Sequence, residues 1–124
     1  MNNPGLIKNL VAGTAITKHR IVKFGDKDHE VLQAAHATDS ILGVCAELDA
    51  TASSRVDIIL SGACHIEYGE DISRGDQLTS DTTGRAVKVT PVTGETHRII
   101  GIATESGEMG DIGSVLISQS SFSA

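Results

Sequence analysis

The chain has 124 residues, of which 16 are acidic and 10 basic, giving a formal net charge of −6; 40% of its side chains are hydrophobic but only 2% aromatic. That length implies one domain, able to bury roughly two thirds of its unfolded surface. The acidic balance excludes a nucleic-acid partner, since no basic stripe exists to displace counterions, and no run approaches the roughly 20 apolar residues that a membrane-spanning helix needs.

The first stretch, MNNPGLIKNLVAG, lacks a charged segment leading into an apolar core, so no secretory signal is expected and the protein should be made and used in a cytoplasm, or in something assembled there. It is apolar at Leu6, Ile7, Leu10 and Val11, and Pro4-Gly5 keep it from starting as a helix. Two readings stay open: an extended arm over residues 1–13, able to add a strand to a partner's sheet edge, or the first strand of the domain over Leu6–Val11. Further short strands follow at Ile16–Phe24, Glu30–Ala35, Ile41–Glu47, Arg55–Leu60, Ala63–Tyr68, Gln77–Ser80, Ala86–Thr90, His97–Thr104 and Ser114–Ser118. In RVDIILSG, Val56, Ile58 and Leu60 share one face; in ACHIEYG, Cys64, Ile66 and Tyr68 share one face while His65 and Glu67 share the other. The one helix-like stretch, HEVLQAAHATDSIL, has no clear 3.6-residue stripe, and Val31–Ala34 reads as strand. The end, SQSSFSA, is a polar tail over 119–124, either frayed or anchored on a neighbour through Phe122. Thirteen glycines and many Ser and Thr supply the turns.

The chain echoes itself. LGVCAE (42–47) matches IGIATE (100–105), VDII (56–59) resembles SVLI (114–117), and AITKHRIVKFGD (15–26) resembles DISRGDQLTSD (71–81). The pattern predicts two related halves, about 15–61 and 71–118, each a strand, a second strand, a glycine-containing strand, a polar loop and a strand. Two copies suit an all-β fold: a small β-barrel or β-sandwich, β-tulip-like, of short antiparallel strands, whose halves pack on each other behind the N-terminal arm.

Sites of chemistry are weighed against that architecture. In ESGEMGDIG the glycines 107, 110 and 113 fall three apart, but no Lys-Ser/Thr follows and a strand rather than a helix comes next, so no phosphate cradle is expected. The counterpart loop, LDATASSR, has no glycine, which makes the glycines a feature of a strand connection. Five His and two Cys form no C-x-x-C or H-x-x-x-H spacing, so no metal site is expected. Cys45 and Cys64 sit in apolar runs as small hydrophobes. No G-x-S-x-G elbow or activated thiol is present, no carboxylate pair stands out, and no catalytic residue, cofactor or enzyme activity is expected. GACHIEYGEDISRGDQLTSDTTGRAV has the cadence of a biotinyl or lipoyl carrier half, but its turn SDTTGR has no lysine to modify. A small β-barrel ligand-binding or carrier-like module of cellular metabolism is the alternative reading.

The order AGTAIT-HRIVKF, ILGV, VDIILSGACHIEYGEDISRGDQLTSDTTGRAV, RIIGIATES and GSVLI resembles the capsid decoration, or head cement, proteins of tailed phages over almost the whole chain. Cys45 stands where that family has Ala after the first Gly-Val. The resemblance implies a compact β domain on the outer surface of an icosahedral head, assembled in the bacterial host cytoplasm and stabilising the major capsid protein lattice. It implies a homotrimer, with a homodimer as the alternative. It carries over no catalytic residues. The expected capsid or partner contacts are Asn2, Pro4, Leu6, Ile7, Leu10 and Val11 in the arm, with Phe122 in the tail.

Overall fold

Short runs of Ile, Val and Leu cannot satisfy their own backbone polar groups, so each must pair with a neighbour. The computed structural model describes residues 3–90 and 92–123, and there the pairing is complete enough to give eleven strands and no helix. These are β1 Asn3–Pro4, β2 Ile7–Ala12, β3 Ile21–Phe24, β4 Glu30–Gln33, β5 Ile41–Cys45, β6 Arg55–Ile59, β7 Gly62–Glu67, β8 Gln77–Ser80, β9 Ala86–Lys88, β10 Thr96–Ala103 and β11 Ile112–Ser123. The protein is all-β. Strands β2-β4-β3-β5-β6 close into a five-stranded barrel, and a six-stranded sheet runs β1-β7-β11-β10-β8-β9. A parallel bridge between Tyr68 and Ala86 curls that sheet toward a second ring, just as the parallel β2–β4 pair (Ala12 opposite Val31) closes the first.

The two rings share a hydrogen-bond plan. Ile16 and Ala50 exchange both backbone bonds at 2.9 and 2.8 Å, and Ile72 and Gly107, 56 and 57 positions later, exchange theirs at 2.8 and 2.9 Å. The Ala12 N–H donates to the Ser54 carbonyl at 2.9 Å, and the Tyr68 N–H to the Asp111 carbonyl at 2.8 Å. Backbone conformation repeats too. Among the described residues, the three non-glycine positions with positive φ, His19 (63°), His29 (65°) and Ser53 (69°), recur as Gly75 (97°), Gly84 (80°) and Gly110 (89°). The two halves expected from the sequence are thus two copies of one strand plan.

What differs between the copies is side-chain size at three facing positions. In the first ring Ala12, Ala50 and Val56 are buried together with Ile16 and Ile58. Their counterparts are Tyr68, Gly107 and Gly113, with Tyr68 fully buried. A Cβ on Gly107 would lie 2.9 Å from the Tyr68 ring, and one on Gly113 would overlap its hydroxyl end. One large side chain and two absent ones replace three small ones, which keeps the packed volume nearly constant. Of the three loop glycines, only Gly110 takes a left-handed turn; the other two make room for the tyrosine.

The terminal segments are folded in. Asn3 and Pro4 pair with Ala63 and Gly62 on β7, while Ile7–Val11 pair antiparallel with Arg55–Ile59 of β6. So the backbone of the expected arm is paired within its own chain from β2 onward, and strand addition to a partner is not open to it there. The tail, for which a frayed end was one expectation, extends β11, with Ser120 opposite Ile99 and Phe122 opposite His97; the Phe122 side chain lies outside what the structure describes.

Candidate functional site

Three surface features could carry function, and the first is the N-terminal stretch. The Gly5 N–H donates to the Ser61 carbonyl at 2.9 Å and the Leu6 N–H to Ser61 Oγ at 2.8 Å, which fixes the chain where it passes from β1 to β2. That leaves Leu6 60% and Ile7 46% exposed, large apolar side chains held outward, with Pro4 half-buried beside them. Leu10 departs from the expected contact set. It is 4% exposed, because alternation along β2 turns it into the first ring's core, and Val11 is half-buried. Asn2 lies outside the described residues. On the second ring, Ile102 and Leu116 face each other across β10 and β11 as an exposed apolar pair.

The second feature is the turn Asp81–Arg85, the hairpin tip that a carrier domain would present to its enzymes. Here it is docked against the first ring. The Ile21 N–H donates to the Gly84 carbonyl at 2.7 Å, while Arg20 Nη1 and Gln33 Nε2 each donate to the Thr83 carbonyl at 2.8 Å. Arg20 also pairs with Glu67 at 3.1 Å, and Arg85 with Asp81 at 3.2 Å. Gly84 is buried, with Ile21 and Ala34 backbone carbonyls against it. A tip held this way cannot reach into another protein's active site.

The third is a cluster that spacing could not reveal. His19, in the left-handed turn before β3, Glu47, in the loop after β5, and His65, on the outward face of β7, meet where the halves join. His19 Nε2 contacts Glu47 Oε2, His65 Nδ1 lies 2.9 Å from Glu47 Oε1, and the two imidazoles pack edge to face at 5.8 Å. The hydrogen bond from His19, followed by that from His65, holds the Glu47 carboxyl below its ordinary value despite some opposing desolvation. In sequence these residues are 28 and 18 apart, and the only hint was that His65 points away from the core face of its strand.

The cysteines behave as the sequence implies. Both are buried and unpaired by disulfide. Burial, then Asp49 and Asp57, pushes the Cys45 thiol up to about 11; burial, then Glu47, pushes Cys64 up to about 12. Neither is poised as a nucleophile.

The family described as phage cement protein matches residues 3–118. The chain belongs to that family. This cement protein is therefore a structural component of a phage head. Its fold is similar to that of the head fiber gp8.5 N base of bacteriophage phi29, whose crystal structure aligns with a TM-score of 0.69 at 24% identity, over 91% of this chain and 93% of that one. At that identity the likeness establishes the fold alone. No curated protein matches the chain.

Proposed function

We propose that this cement protein binds the outside of an icosahedral phage head and stabilises the lattice of the major capsid protein there, after assembly in the bacterial host cytoplasm. The observation that carries the reading is the match to the cement family over residues 3–118. Its acidic charge fits an outer protein with no nucleic-acid contact. The docked Asp81–Arg85 turn speaks against the carrier alternative. The protein acts as a homo-oligomer, a trimer in the first instance and a dimer in the second.

The proposed contact is what remains exposed of the N-terminal set: Leu6 and Ile7, with Pro4 at their edge. Apolar side chains held outward by a fixed backbone lose little entropy on docking, so burying them yields most of their transfer free energy. The stretch from Pro4 to Ile7 thereby serves as the attachment point and the β body as the bulk that spans subunits. Purified protein added to expanded, undecorated heads should co-sediment with them and raise the temperature at which they rupture. A variant with Leu6→Ser and Ile7→Ser should fold but bind weakly, whereas equal binding by that variant would remove the contact assignment. Absence of wild-type binding would sink the function itself.

A further inference from the structure

The geometry points to a binding site for a borderline divalent transition metal, zinc above all, formed by His19, Glu47 and His65 at the seam between the two halves. Two imidazoles and one carboxylate are a donor set that suits zinc. The three donor atoms lie within 4.8 Å of one another. Bonds of roughly 2.1 Å at tetrahedral angles put donors about 3.4 Å apart, so closing the site needs a movement of up to about 1.4 Å.

The side chains that would move can do so: Glu47 is 49% and His65 37% exposed, whereas His19 is 11% exposed and fixed. Its backbone holds it in place, since the His19 N–H donates to the Cys45 carbonyl at 3.1 Å and the His19 carbonyl accepts from the Glu67 N–H at 3.0 Å. The rigid ligand is thus buried and the adjustable ones face solvent, leaving the fourth coordination position open to water. Two ligands come from the turn and loop flanking strands of the closed barrel and one from β7 of the six-stranded sheet, so a bound ion would staple the two together.

The test uses the full chain, stripped with chelator, and ZnCl2 as probe. Calorimetry should show one zinc per chain, and Co2+ should give the intense visible bands of a tetrahedral site. At free zinc a hundredfold above Kd, Tm should rise by roughly 8 °C. Binding requires unprotonated imidazole, so it should weaken in acid. His65→Gln and Glu47→Gln should each lower zinc affinity at least tenfold and abolish the Tm rise while leaving the metal-free circular dichroism unchanged. His19→Asn, which tolerates the left-handed backbone, should do the same. His36→Gln, at an exposed site outside the cluster, should bind as the wild type does. The proposal is overturned if zinc binds no tighter than about 100 µM, roughly the level of adventitious surface sites, or if binding persists undiminished in both His65→Gln and Glu47→Gln. Capsid binding plays no part in this experiment, so either idea can fail without the other.

Discussion

Gly113 offers the sharpest test of how the second ring is packed. A Cβ there would overlap the hydroxyl end of Tyr68, whose ring is fully buried and whose Oη donates to the Glu105 carbonyl at 2.6 Å. In Gly113→Ala the ring must retreat by about an ångström, against an interior packed to crystal density. Overpacking costs about 1–3 kcal/mol, and a weakened Tyr68 hydrogen bond adds about 1 kcal/mol. The expected loss is therefore about 2–4 kcal/mol, a drop in Tm of roughly 10 °C for a domain of this size. The counterpart positions suggest the remedy, because Ala12 and Val56 fill the same space in the first ring. Tyr68→Ala alone should cost about 4 kcal/mol through the cavity it leaves. Adding Gly113→Val to that background should restore about 1.5–2 kcal/mol, although the same valine in the wild type is destabilising. Urea unfolding followed by circular dichroism would give all four corners of the cycle. A loss under about 0.5 kcal/mol in Gly113→Ala, or additive effects in the double variant, would refute the packing argument.

Three further outcomes are expected. Neither thiol should react with a disulfide reagent at pH 8 in the native protein, and both should react in urea; rapid labelling of Cys45 or Cys64 in the folded state would contradict their burial. The raised thiol values also set a pH dependence. The unfolded chain releases these protons from about the ordinary value of 9.0 while the folded chain keeps them, so stability should decline between pH 9.0 and about 11, where Cys45 titrates, and urea midpoints across that range would show it. Ser53→Gly should raise Tm by a few degrees, since exposed Ser53 holds the left-handed conformation that Gly110 takes in the other copy; a loss of stability there would mean that Ser53 is not strained.

Much of the fold was legible because one face of most strands is buried, and burial writes a two-residue alternation into the sequence. Gln77–Ser80 has the bounds expected from the sequence, and Arg55–Ile59 and Ile41–Cys45 differ only at their ends. The repeat was legible for the same reason: equivalent core positions keep equivalent apolar types. The extension of β11 was hidden, because Gln119–Ser121 is polar on both faces and is held by backbone pairing to β10. β1 was hidden because two residues carry no period. The glycine loop was legible as a strand connection, yet the reason for Gly107 and Gly113 lay in Tyr68, far earlier in the chain. The histidine–glutamate cluster was invisible for a similar reason. Its members come from three separate segments, and no short spacing records a meeting that the junction of the two rings brings about.

The central claim is attachment to the outside of a phage head, and electron cryomicroscopy of expanded, undecorated heads mixed with the purified protein tests it most directly. The account predicts added density on the outer surface only, repeating with the icosahedral lattice, with Leu6 and Ile7 at the contact with the major capsid protein. Heads that stay bare at saturating protein, or density confined to the interior, would contradict it.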